Sequence, residues 1–413
     1  MKLRFLCTLL LFCTAFAAAA ATLQIKTVNP RAIQPCGKTA TFKVSVLDDQ
    51  GNPVTSGNVL CQFQTDHFEK ISEVTIDLAK ENPFHITGTL KEPGFLRCDV
   101  QYEDLNNFAV TAFDPFQIKT AQTLPPDFQE FWAKAKADAL KIPLDVKLEK
   151  LDRLSNRFYT GYSISFANIN GTRMYGYLSV PTAPGPHPAG IIIPGAGPGF
   201  TKIGDDYPRS STIVLVLNVH PYAVEPETTK ERYKELNKEQ HYYFHGLPDL
   251  QKYVFYRVVL GLCRGVKYLT ERPDWDGKHL LVTGSSQGGG LTILTAALNA
   301  DVVSAAAVNV PAFGEMVPGV RPPENNWSRI RALPEGERIT SYLDAVNFTP
   351  MIRCPMIWSV GWRDQSCYPR SVLAAYNRLT SDKFIWIGPD MVHTVDPQYN
   401  TFRKLWLAQQ LIK

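Results

Sequence analysis

The chain has 413 residues, 45% of them apolar and 20% charged, with 27 Gly and 30 Pro spread along its length. At roughly 150 residues per domain this is room for two domains, one of them large, and the balance excludes disorder, collagen and coiled coil. The formal charge of +4 falls to about +2 once Lys2 and Arg4 are set aside with the first segment, which leaves no electrostatic case for nucleic acid.

Lys2 and Arg4 precede an apolar run over residues 5–19, and small residues 17–21 follow before the first polar ones. That is the order of a secretory signal, and the run falls short of the roughly 20 residues that span a bilayer. Residues 1–21 are therefore expected to be a removed signal peptide, and the mature protein to be exported, periplasmic or secreted, with no membrane span. Six cysteines remain beyond Cys7 and Cys13. Cys61 and Cys98 fall in runs 58–64 and 95–102, which read as neighbouring strands, so a bridge between them and a pair of buried thiols both stay open. No Cys or His spacing suits zinc, and no metal is expected.

Residues 22–118 show short alternating or β-branched runs, such as 39–47, 59–63 and 94–100, broken by turn residues at 48–53. Short strands at this spacing predict an all-β sandwich of immunoglobulin-like type. At Pro125-Pro126-Asp127 the character changes, and Phe128, Phe131, Trp132 and Ala135 recur at helical spacing, marking a linker and an amphipathic helix. Hairpin-like runs at 159–166 and 173–180 come next. Buried apolar runs then alternate with helical ones: strands at 190–193, 213–219, 280–283, 302–308, 356–360 and 383–387, and helices at 251–270, 289–299 and 399–411. Such alternation predicts an α/β domain over residues 119–413 with a mostly parallel, doubly covered sheet.

Within it, residues 280–294 read strand, Gly284-Ser285-Ser286-Gln287-Gly288, helix. A Gly-x-Ser-x-Gly turn in that setting is a nucleophile elbow, its glycines required because the neighbouring backbone leaves no room for side chains. Ser286 is the expected nucleophile; a serine that only caps the helix is the competing reading. A serine needs a base, and His393 is the only histidine after Ser286, placed just past the strand at 383–387. The acid is less constrained, since Asp301, Asp344, Asp364, Asp382 and Asp390 all lie between them. Asp364 alone directly follows a strong apolar strand, and a carboxylate there would orient the imidazole; an ion pair with Arg363 is its competing role. Two backbone donors complete such a site: the Gln287 amide, next to the nucleophile, and one from Pro194-Gly195-Ala196-Gly197-Pro198, where Ala196 is the first choice because proline has no N–H and Gly195 or Gly197 are alternates. These glycines open no nucleotide site, as no GxGxxG precedes a helix and no P-loop lysine follows.

From about Leu124 onward the chain resembles the acetyl xylan esterase and cephalosporin-C deacetylase family of α/β-hydrolases. The resemblance is carried by Asp127-Phe128-Gln129-Glu130-Phe131-Trp132, residues 253–269, Trp275-Asp276-Gly277, Ser286-Gln287-Gly288-Gly289, Asp364-Gln365-Ser366-Cys367-Tyr368-Pro369 and His393. It implies removal of acetyl groups from sugar hydroxyls of xylan or xylo-oligosaccharide type, with Ser286 as nucleophile, Asp364 as acid and His393 as base. Three departures stand out. Pro194-Gly195-Ala196 replaces a frequent His-Gly-Tyr, Asn218-Val219-His220-Pro221 replaces an Arg-Gly motif, and Thr394 follows the histidine where Glu is usual. Exported variants with an extra N-terminal β-domain are the nearer subgroup, and a homo-oligomer is left open.

The implied chemistry is two-step acyl transfer needing no cofactor and no metal. Polar insertions at 223–249 and 311–344 fall where rim elements shape a pocket, and Trp327, Trp362 and Tyr368 are candidates for contact with a sugar face, with core packing the competing role. A feruloyl-type esterase or peptidase on the same scaffold is the alternative enzyme. A non-catalytic carbohydrate- or surface-binding protein is the alternative of another class.

Overall fold

The computed structural model describes residues 21–412; the expected signal segment 1–21 lies almost wholly outside them. Eight strands come first: β1 (Thr22–Thr27), β2 (Ile33–Gln34), β3 (Ala40–Leu47), β4 (Asn58–Thr65), β5 (Lys70–Asp77), β6 (Phe84–Gly88), β7 (Gly94–Tyr102) and β8 (Leu105–Phe113). They form a three-stranded sheet, β1-β3-β6, and a five-stranded sheet, β2-β8-β7-β4-β5. Burial alternates along β3, so Phe42, Val44 and Val46 face a shared core with Val59, Phe63, Phe84 and Val100. That is the period-two pattern of a half-buried strand. Cys61 and Cys98 do lie on paired strands, β4 and β7, but Cys61 sits opposite Val100 and Cys98 opposite Phe63. Offset in this way they remain buried free thiols.

The β7 and β8 part of the five-stranded sheet is buried on its second face as well, where Phe95, Val110 and Ala112 join the core of the α/β part, while β5 stays exposed. The connecting segment is also tied down: Asn347 Nδ2 donates to Thr123 O at 2.9 Å and Gln122 Nε2 to Asp344 at 2.7 Å. α1 (Phe128–Lys141) follows, with Trp132 fully buried and its indole N–H bonded to Tyr342 O at 2.9 Å.

Beyond α1 come β9 (Lys147–Lys150), β10 (Tyr159–Ala167), β11 (Arg173–Pro181), β12 (His187–Ile193), β13 (Ile213–Asn218), α2 (Thr229–Leu236), α3 (Val254–Thr270), β14 (Trp275–Ser285), α4 (Gln287–Leu298) and β15 (Ala305–Asn309). The chain ends with α5 (Asn326–Arg331), α6 (Gly336–Leu343), α7 (Ala345–Phe348), β16 (Met356–Gly361), α8 (Pro369–Arg378), β17 (Lys383–Gly388) and α9 (Pro397–Gln410). The strands make one sheet in the order β17-β16-β15-β14-β12-β13-β11-β10-β9. Strands β12 to β17 run parallel, and β9 to β11 add an antiparallel margin.

β12, β13, β15 and β16 are almost wholly buried, as their continuous apolar runs require of strands covered on both faces. One face carries α1, α3, α4, α7 and α8, and the other carries α9 with Ile203, Tyr207 and Val224. The mostly parallel sheet expected from the sequence is therefore present. Its carboxyl edge, where β12, β14, β16 and β17 end, is the place where such sheets hold their ligands.

Candidate active site

β14 runs directly into α4, and Ser286 occupies the single residue between them with φ 57° and ψ −122°. A non-glycine residue at positive φ stores strain that the surroundings must hold, and they do. Ser286 N donates to Asn309 O at 2.9 Å, and its carbonyl accepts from Gly290 N and Ala312 N. The flanking glycines have a steric reason: a Cβ on Gly288 would lie 2.1 Å from Ile193 O, and one on Gly284 2.4 Å from Gly288 C.

The Ser286 hydroxyl lies 3.0 Å from His393 Nε2, and His393 Nδ1 lies 2.8 Å from Asp364 Oδ2. The other carboxylate oxygen, Oδ1, accepts from the amides of Ser366 and Cys367, each at 2.8 Å. Asp364 is thus fully engaged and buried, and its free direction is toward the imidazole. The loops that carry Asp364 and His393 are stitched together: Trp362 N donates to Gly388 O at 3.0 Å and Arg363 N to Met391 O at 3.1 Å. Gly361 permits the approach, because a Cβ there would lie 2.2 Å from Met391 O.

The other aspartates are placed elsewhere. Asp344 is fully buried and accepts from the amides of Glu315, Met316 and Val346, making it a cap and loop anchor. Asp301 lies near Lys136, the Asp382 carbonyl accepts from Met356 N, and Asp390 is exposed.

Gln287 opens α4, so its amide is one of the four that a helix leaves without an intrahelical acceptor. Ala196 is exposed on the facing loop, where a Cβ on Gly195 would lie 3.7 Å from Ser286 Cβ. That loop is held from behind by residues just after β13. His220 Nε2 is 2.7 Å from Gly197 O, Tyr222 Oη donates to Pro198 O at 2.9 Å, and Phe200 N donates to Asn218 Oδ1 at 2.8 Å. Burial pushes His220 down to about 4, against the opposing hydrogen bond to Gly197. It is a neutral ring with Nε2–H donating.

Of the three candidates for sugar contact, Trp362 and Trp327 take the competing role, core packing, and the sugar-contact reading is corrected for them. Trp362 is 1% exposed, its ring packed 5.1 Å from Phe95, and Trp327 is 7% exposed within a cluster of Tyr243, Phe255 and Phe313. Neither presents a ring face. Tyr368 is half-buried, edge-on to Phe68 at 5.6 Å. The polar insertions do meet at the site, through Tyr243 against Trp327 at 5.3 Å and Arg329 over the Phe244 ring at 4.7 Å.

Sequence reasoning passed over Cys367 as a site residue. It is buried; burial pushes its thiol up, and the Asp364 charge adds to this. Its donor atom lies within 4.8 Å of those of Asp364 and His393, the one grouping of metal-ligand type found among the described residues. The hydrogen bonds along Asp364, His393 and Ser286 already account for this closeness. The signal was its fixed place three residues after Asp364.

Residues 110–316 and 335–411 match the model of the acetyl xylan esterase (AXE1) family. Acetyl esterase Axe7A of Xylanibacter ruminicola is 31% identical over 337 residues, which are 78% of this chain and 76% of that protein. Acetyl xylan esterase 1 from Thermoanaerobacterium sp. JW/SL YS485 superposes with a TM-score of 0.62 at 21% identity, covering 72% of this chain and 97% of that one. The acetyl xylan esterase from Paenibacillus sp. R4 gives 0.57 at 21% identity, over 71% and 97%. The two structures show the shared α/β-hydrolase fold with its mostly parallel sheet. The extent of the family match and the identity to the Xylanibacter protein carry the assignment further: the chain belongs to the acetyl xylan esterase family and is a carboxylic ester hydrolase.

Proposed function

We propose that the chain removes acetyl groups from acetylated carbohydrates of xylan or xylo-oligosaccharide type through a Ser286 acyl-enzyme. The observation that carries this reading is the hydrogen-bonded run from Ser286 through His393 to Asp364, at 3.0 and 2.8 Å. His393 Nε2 takes the serine proton as Oγ attacks the acetyl carbonyl, and the amides of Gln287 and Ala196 receive the oxyanion. The protonated ring then returns the proton to the departing sugar oxygen. Water, activated by the same nitrogen, releases acetate. Asp364 keeps Nδ1–H engaged and offsets the charge on the imidazolium.

A small acyl group suits the surroundings. Tyr242 Oη bonds the side chain of Gln287, the residue after Ser286, and Tyr243 packs on Trp327 at 5.3 Å. Bulky aromatic side chains therefore crowd the residue next to the nucleophile.

The same proposal takes residues 22–118 as an immunoglobulin-like sandwich and residues 119–413 as the catalytic domain, supported by the two packed sheets and their own apolar core. It places the mature protein outside the cytoplasm, on the order of charged, apolar and small residues in 1–21. Among the described residues no helix is long and apolar enough to cross a membrane.

Hydrolysis of p-nitrophenyl acetate, butyrate and octanoate and of acetylated xylan, by the parent and by Ser286→Ala, tests the reading. Acetate should be preferred and acetyl release from xylan lost in the variant. A preference for octanoate would remove the acetyl assignment.

A further inference from the structure

The loop that carries the acid, residues 362–370, is covered on its outer side by the N-terminal sandwich. The contact includes Arg363 over the Phe108 ring of β8 at 4.7 Å and four further pairs. Phe95 of β7 packs on Trp362 with ring centroids 5.1 Å apart, and Asn107 of β8 accepts from Arg363 Nη2 at 2.8 Å. Phe68, from the turn after β4, meets Tyr368 edge-on at 5.6 Å, and Asp66 of the same turn pairs with Arg370 Nη1 at 3.2 Å. Arg370 also lies 3.2 Å from Glu315 Oε2, a fully buried carboxylate of the other insertion. Asp66 and Arg370 are themselves only 11% and 13% exposed, so this is not a loose surface pair.

Division of labour along the loop is clear. Trp362, Arg363, Tyr368 and Arg370 reach outward to the sandwich, while Asp364 reaches inward to His393. The loop leaves β16 at Gly361 and enters α8 at Pro369, so Arg370 stands in the first turn of α8; its inner side is held by the bonds of Trp362 N and Arg363 N to Gly388 O and Met391 O, and its outer side by the sandwich. A displacement on the order of 1 Å in a catalytic group can cost roughly 100-fold in rate, so whatever fixes this short loop governs the site.

We infer that the N-terminal sandwich is the positioning element of the catalytic acid, with Arg370, clasped between Asp66 and Glu315, and Arg363, bonded to Asn107, as the positioning residues. The sandwich acts on the reaction through Asp364 and touches no substrate. This rests on the triad reading above. It makes the extra domain part of the hydrolase and not a tethered spacer.

The test uses the full chain carrying Asp66→Asn and Asn107→Ala together, both substitutions lying in the sandwich. Its kcat on p-nitrophenyl acetate should fall by roughly 10- to 100-fold with KM within about twofold. The second-order rate of Ser286 labelling by a fluorophosphonate should fall by the same factor. Phe84→Leu, which loosens the sandwich from its far core, should keep the parent's kcat and labelling rate at temperatures below its melting point. Arg370→Lys, which keeps a cation for Asp66, should recover more activity than Arg370→Gln. Labelling and kcat within twofold of the parent in the double variant would overturn the inference, as would an equal loss in Phe84→Leu. Labelling reads the serine whatever ester is preferred, so a parent that is labelled but spares acetyl esters contradicts the substrate reading and leaves this comparison intact.

Discussion

The Tyr242 hydroxyl donates to Oε1 of Gln287 at 2.5 Å, tying a residue of the 223–249 insertion to the side chain that follows the nucleophile. Both residues are fully buried. The insertion therefore reaches beneath the site as well as around its rim, and it fixes the first residue of α4, whose amide is assigned to the oxyanion. Tyr242→Phe leaves a buried acceptor unpaired. It should lower unfolding free energy by about 1–3 kcal/mol in urea titrations and lower kcat more than it raises KM.

Asp364 and Asp390 separate cleanly. Asp364→Asn should reduce kcat by roughly 10⁴-fold, because the amide holds the wrong tautomer of His393. Asp390→Asn, at an exposed position outside the hydrogen-bonded run, should stay within about twofold of the parent. Steady-state rates on p-nitrophenyl acetate decide between them.

Ala196→Pro removes one N–H, and because it also fixes φ and restricts Gly195, a thermal melt must accompany the rates. With the oxyanion shared between Ala196 and Gln287, it should cost about 10²–10³ in kcat, while Ala196→Gly keeps the donor and most of the rate. Comparable rates in the two variants would move the second donor to Gly195 or Gly197.

His220 gives a pH signature. Its folded value of about 4 lies below the ordinary 6.5, and burial is the main cause. The unfolded chain therefore binds this proton more readily, and stability is lost as pH falls through the interval from 6.5 toward 4. Protonation would place an N–H at Nδ1, a buried atom with no partner. His220→Gln should flatten this part of the stability profile, measured as urea midpoints at pH 7 and pH 5. Its amide can still donate to the Gly197 carbonyl, so activity per folded molecule should be largely kept, whereas His220→Leu removes that donor and should slow the reaction.

Gly288→Ala should destabilise the fold by roughly 1–3 kcal/mol or more, because the new methyl would lie 2.1 Å from Ile193 O and 2.7 Å from Pro194 O. Displacing Pro194 moves the oxyanion loop. Activity per folded molecule should fall too, which thermal melts paired with active-site titration will show.

Much of this architecture could be read before any coordinates. The apolar runs of β12, β13, β15 and β16 are buried on both faces, so their sequences carry the parallel sheet directly. Residues 284–288 announce the turn because their glycines answer to backbone contacts local to it. Pairing His393 with Ser286 needed only elimination, as no other histidine follows the serine. Less legible was anything set by long-range packing. Strand β9 is exposed along its whole length and has no apolar period, and α5 and α6 are short helices inside 311–344, a stretch that reads as polar. Trp327 and Trp362 looked like sugar platforms because an aromatic next to a loop does not reveal which neighbour covers it. For Trp362 that neighbour is Phe95, 267 positions earlier in the chain.

Trapping the acyl-enzyme tests the central claim most directly. The full chain is mixed briefly with p-nitrophenyl acetate, quenched in acid, digested and analysed by mass spectrometry. One acetyl unit is expected on the peptide carrying Ser286, absent from Ser286→Ala and formed far more slowly in His393→Ala, which lacks the base for the attack. Rapid acetate release with no adduct on Ser286, or an adduct formed equally in Ser286→Ala, would contradict the account.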